Sequence, residues 1–99
     1  MNIKIHSIHF NTDEKLEQFI REKFQKIERF VNRIIDAQVI LKLDHNKGNV
    51  KDKIAEIRLQ LPGKTLYAEE RSKAFEESIE LATDAMVRQV KKHKEKIQQ

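Results

Sequence analysis

Lysine and arginine at helical intervals in two separate stretches are the side chains whose spacing could do chemistry here. That chemistry is the gripping of phosphate. Lys23, Lys26 and Arg29 recur every three residues, and Arg88, Lys91, Lys92 and Lys94 crowd together near the C-terminal end. Residues three and four apart share a helix face, so Lys23, Lys26 and Arg29 would present their charges together, while Arg88 and Lys92 would share a ridge with Lys91 and Lys94 fanning to the other side. Cations gain ~0.3–1 kcal/mol each at a helix C-terminus through the dipole. That accounts for the direction of the charge gradient but not for its density. Five basic residues stand against one acid, Glu95, between Arg88 and Gln99. A polyanion such as RNA accounts for both.

Other chemistries fare poorly. Histidines 6, 9, 45 and 93 show no metal-ligand spacing. His6 and His9 would not point the same way on a strand, and His93 reads as a packed ring. The chain has no cysteine, which excludes disulfides and cysteine-ligated zinc. There is no glycine-rich phosphate loop and no nucleophile elbow. Glu69 and Glu70 read as solvated carboxylates just before a helix. No enzyme, metal or cofactor is therefore expected. Among RNA-binding modules, neither the ribonucleoprotein aromatic motif nor a GXXG loop occurs. The few aromatic residues fall on apolar stripes, so base stacking is not the main mode. What remains is backbone recognition on structured RNA.

The elements that must hold these cations follow from hydrophobic periodicity. A strand is predicted over Asn2–Phe10, its alternation blurring at Ser7, Ile8 and His9. Asn11 or Thr12 can cap a helix over Asp13–Ile34, whose stripe is Leu16, Phe19, Ile20, Phe24, Ile27, Phe30, Val31 and Ile34. Lys23 falls inside that stripe. Its ammonium either snorkels from a helix seam or rises through the seam to a phosphate, and the two readings are compatible. Asp36–Leu43 alternates, with Ala37, Val39, Leu41 and Leu43 facing one way. A polar loop follows over Asp44–Asp52, then a strand over Ile54–Leu61. Pro62-Gly63 suits the centre of a type II turn before a return strand over Lys64–Ala68. The last helix, Ser72–Gln99, places Phe75, Ile79, Ala82, Met86, Val90 and His93 on one stripe.

The fold class is thus α+β, one domain over residues 1–99 in the order β-α-β-β-β-α. A four-stranded sheet would carry both helices on one apolar face. Ninety-nine residues suffice for a modest core. Charged residues reach 36%, yet the 38% that are hydrophobic come in periodic runs, which points to folded protein rather than disorder. The net charge of +4 is mild, so the signal lies in where the charge sits. Met1 leads straight into an alternating segment and no apolar run approaches ~18 residues, so the expectation is cytoplasmic, with no membrane partner and no small-molecule substrate.

The phrase IRLQLPGKTLYAEERSKAFEESIELA (57–82), the run MVRQVKKHK (86–94) and the Lys-x-x-Lys-x-x-Arg pattern at Lys23, Lys26 and Arg29 carry a resemblance. Together with the element order, they resemble the ribosome hibernation promoting factor family over essentially the whole chain. That family includes ribosome-associated inhibitor A and is also labelled sigma-54 modulation protein. The resemblance implies a fold like double-stranded RNA-binding domains, seated on the small ribosomal subunit in the channel for messenger RNA and transfer RNA. Occupancy there blocks translation in stationary phase or stress. Carried over by position, Lys23, Lys26, Arg29, Arg88 and Lys92 would contact small-subunit rRNA; Lys91 and Lys94 join them on charge alone. Two positions depart from the family pattern. Ala85 stands where a lysine is common, which leaves a neighbour such as Lys92 to compensate, and Glu80 stands where aspartate is favoured. The chain stops at Gln99 with neither a dimerising domain nor a tail, which matches the short form, and the free protein is expected to be a monomer. The alternatives are a general double-stranded RNA-binding protein and an interaction module docking on an acidic partner.

Overall fold

A computed structural model describes residues 2–44 and 52–98, with side chains as far as residue 94. Six elements follow one another: β1 (Ile3–Ser7), α1 (Glu14–Glu28), β2 (Asp36–Asp44), β3 (Asp52–Leu61), β4 (Lys64–Ser72) and α2 (Phe75–Gln98). The strands form one sheet in the order β1-β2-β3-β4. β1 pairs parallel to β2, with Ile3 beside Ala37 and Ile5 beside Val39. β2, β3 and β4 form the antiparallel meander expected from the alternation. The predicted loop after β2 lies, apart from its ends, outside the described residues.

One face of the sheet buries Ala37, Val39 and Leu41 from β2, Ala55, Ile57, Leu59 and Leu61 from β3, and Leu66 and Ala68 from β4. Ile20, Phe24 and Ile27 of α1 and Ile79, Ala82, Met86 and Val90 of α2 complete a single cluster with them. Both helices therefore lie on the same side, as the stripes require. The two buried hydroxyls of α2 are satisfied. Thr83 donates to the carbonyl of Ile79 at 2.7 Å, and Ser78 donates to that of Lys53 at 2.6 Å.

Several boundaries differ from the sequence expectation, each for a local reason. β1 ends at Ser7 rather than Phe10, because His9 takes a left-handed φ of 69°. That turn carries Phe10 onto Phe75, with ring centroids 5.0 Å apart. The cap of α1 is Asp13, not Asn11 or Thr12; its Oδ1 accepts from the Leu16 amide at 2.8 Å. α1 ends at Glu28 instead of Ile34, tightened by the Phe30 amide donating to the Ile27 carbonyl at 3.0 Å. Phe30, Val31 and Ile34 still pack against the core, so they keep the apolar pattern without staying helical. The chain must already have left the helix there, since the Ile35 amide donates to Gln60 at the sheet.

β4 runs to Ser72, four residues past the predicted end at Ala68. Glu69 and Glu70 therefore sit within a strand and alternate across it, so these two carboxylates do not pair with each other. α2 begins at Phe75 rather than Ser72, and Ser72 instead accepts the Ala74 amide at 3.2 Å. The β3–β4 turn matches its prediction. Proline sets the first central position, and Gly63 has the φ of +76° that a type II turn needs at the second. On the outer rim of the sheet, the Gln89 amide of α2 donates to the Tyr67 carbonyl of β4 at 2.7 Å.

Candidate nucleic-acid interface

The contacts between α1 and α2 step in the same direction along both helices. Lys23 meets Glu80 at 3.2 Å, Lys26 meets Asp84 at 3.7 Å, and the Lys91 ammonium stands 4.6 Å from the centre of the Phe30 ring just beyond α1. The helices therefore lie side by side and parallel. Their seam is laced by ion pairs at one end and a cation–π contact at the other.

Lys23 holds its stem in this seam, with a quarter of its side chain open and its ammonium also 5.3 Å from the Phe19 ring centre. That is the snorkelling arrangement, and its free end emerges between the helices. Lys26 is half-buried and Arg29, which caps α1, is exposed one turn further along the same face. On α2, Arg88 lies one turn beyond Asp84, so it shares a surface with Lys26. Asp84 stands between those two cations.

The remaining cations of α2 divide. Lys91 and Lys94 turn toward α1: Lys91 reaches Phe30, and Lys94 lines a cleft with Arg33. Lys92 is exposed one turn beyond Arg88 and continues its ridge. Six of the seven candidate cations thus gather on the helix pair and its end, and Lys92 borders them. Sequence reasoning did not foresee which acids would grip Lys23 and Lys26, because Glu80 and Asp84 are more than fifty residues away in the chain. It also missed Phe30 as a platform for a cation, although its place at the end of the α1 stripe was the available signal. His93 is half-buried and walls the cleft rather than filling the core.

These ion pairs offer little resistance to a ligand. Exposed pairs contribute ~0.2–1 kcal/mol, so swinging Lys23 or Lys26 off its carboxylate to a phosphate beside the seam costs little. Among the described residues, no group of three or more histidine, aspartate or glutamate side chains could hold a metal ion. No described helix is long and apolar enough to cross a membrane.

Residues 3–98 match the family described as Sigma 54 modulation protein / S30EA ribosomal protein. A ribosome hibernation promoting factor of Pseudomonas putida is 31% identical over 98 residues, covering 99% of this chain and 91% of that protein. A ribosome hibernation promotion factor of Deinococcus radiodurans is 30% identical over 81 residues, covering 82% of this chain but 42% of its own length. The chain thus spans less than half of that longer relative. Among solved structures, a ribosomal subunit interface protein from Coxiella burnetii superimposes with a TM-score of 0.84. The match covers 95% of this chain and 98% of that one, and at 20% identity it shows a shared fold.

Proposed function

Because the chain belongs to the Sigma 54 modulation protein / S30EA ribosomal protein family, we propose that it is a ribosome hibernation factor. On this reading it binds the small ribosomal subunit in the cytoplasm and inhibits translation by occupying the channel for messenger RNA and transfer RNA. No bond is made or broken, and the free protein is a monomer. The observation that carries the reading is the parallel helix pair, which lifts cations from both helices onto one side of the sheet.

Lys23, Lys26 and Arg29 supply one row of phosphate contacts, and Arg88, Lys91, Lys92 and Lys94 the other. Two rows of lysine and arginine on a rigid support suit an RNA recognised by shape and phosphate position. Glu80 and Asp84, lying between rows, disfavour phosphate directly over the seam. They favour a ligand whose strands straddle it.

Binding of this kind falls steeply with salt. Each neutralised phosphate contributes roughly 0.7–0.9 to the downward slope of log K against log salt. The variants Lys26→Ala and Arg88→Ala should each lower that slope by about that amount, measured on purified small subunits. An unchanged slope in both would mean that neither side chain touches phosphate. Competition decides between this reading and a general duplex binder. Small subunits should displace the protein from generic double-stranded RNA, and equal affinity for both would favour the latter. Finding the protein only in the ribosome-free fraction of lysate from starved cells would favour an acidic protein partner.

A further inference from the structure

Beyond the C-terminal end of α1 lies an apolar cleft of about 200 Å³. Phe30 and His93 line it together with Leu61 at the end of β3 and Pro62 of the β3–β4 turn. Arg33 and Lys94 stand at its margin, and Lys91 is poised over the same Phe30 ring at 4.6 Å. No aspartate or glutamate is among the described residues that line it.

We propose that this cleft captures one unstacked RNA base, with Arg33, Lys91 and Lys94 holding the phosphates on either side of it. The inference rests on the RNA-binding reading above and extends it from backbone to base. Three observations select this occupant. The cleft is smaller than the roughly 300–1,000 Å³ of pockets that enclose drug-sized ligands, which leaves room for a single ring system. Its walls combine aromatic and proline surfaces, against which a base face packs regardless of base identity. Its rim carries only positive charge among these residues, and a nucleotide matches that combination by pairing an aromatic ring with phosphates. The cleft also continues directly from the cation rows, since Phe30 follows Arg29 and His93 lies between Lys92 and Lys94. A strand gripped by the helix pair would reach it without changing course. Backbone contact therefore remains the main mode, with one base anchored at its end.

The test uses the full chain and two RNA hairpins, one carrying a single bulged 2-aminopurine and one fully paired. Wild type should bind the bulged hairpin about tenfold more tightly and change the fluorescence of the bulged base, in keeping with the strength of base–aromatic stacking. His93→Ala should reduce that preference several-fold. Phe30→Leu, which keeps an apolar side chain at the core margin, should do the same, so the test survives if either variant folds poorly. On small subunits, wild type should protect one unpaired rRNA base from dimethyl sulfate, and His93→Ala should release it while the backbone footprint persists. Equal binding of the two hairpins with unchanged fluorescence would overturn base capture and leave the RNA reading standing. Binding to neither hairpin and no association with small subunits would overturn both. If His93→Ala weakened small-subunit binding without altering any base's reactivity, the cleft would hold a protein side chain and base capture would be wrong.

Discussion

Tyr67 projects from the face of β4 that the helices leave open, and its hydroxyl donates to Glu69 at 3.1 Å. Burial of the hydroxyl end, the nearby charge of Glu56 and the bond to Glu69 together push its pKa up to about 12. Because 44% of the residue is open, solvent screening keeps the energetic effect small. Its sign is nonetheless clear. A proton held more tightly in the folded than in the unfolded chain stabilises the fold up to about pH 10, and that contribution is lost as pH climbs toward 12. Lys42, raised by its hydrogen bond to Glu56, acts in the same direction over a neighbouring alkaline window. Urea unfolding followed between pH of about 9 and 11.5 should show falling stability, and Tyr67→Phe should flatten part of the fall. Identical profiles for variant and wild type would show that the phenol does not contribute. Asp36 and Asp52 act at the other extreme. Their pKa values are lowered chiefly by hydrogen bonds from Gln38 and Lys73, so their contribution is present above about pH 4 and lost below it.

α1 depends on its first turn, where the Asp13 carboxylate accepts the Leu16 amide and Glu14 and Glu17 add negative charge at the positive end of the dipole. Asp13→Ala should cost about 0.5–2 kcal/mol. In a domain of this size that lowers the melting temperature by about 4–8 °C per kcal/mol. A midpoint within about one degree of wild type would mean that solvent or Thr12 replaces the cap. Elements with one buried and one open face were legible in the sequence for a simple reason. In β2 and β3, every second residue from Ala37 to Leu41 and from Ala55 to Leu61 is apolar and buried, so a shift by one would have exposed them all. The end of β4 was hidden, because its helix-facing positions after Ala68 are Glu70 and Ser72, which carry no apolar signal. The end of α1 was hidden for the opposite reason: Phe30, Val31 and Ile34 remain apolar while following a turn. At the candidate site the cation rows were legible from spacing alone. Their partners were not, because Lys23–Glu80 and Lys26–Asp84 are made only when two helices distant in the chain are laid together.

Considered as a whole, the molecule is a four-stranded sheet that ends in β1 on one side and β4 on the other. An edge strand offers unpaired amides and carbonyls to any other strand that drifts alongside. On β4 the chain deals with this at the rim, through the bond from Gln89 of α2 to the Tyr67 carbonyl. Gln89→Ala should lower the melting temperature by no more than several degrees, since one exposed hydrogen bond lies at the low end of the about 0.5–1.5 kcal/mol such bonds contribute. It should nevertheless raise concentration-dependent light scattering on prolonged warming, and scattering equal to wild type would show that the amide does not guard the strand. Two copies that met along β4 would find a rung of the prospective ladder already taken. Zipping into one continuous ribbon would stall at Tyr67 until the middle of α2 let go.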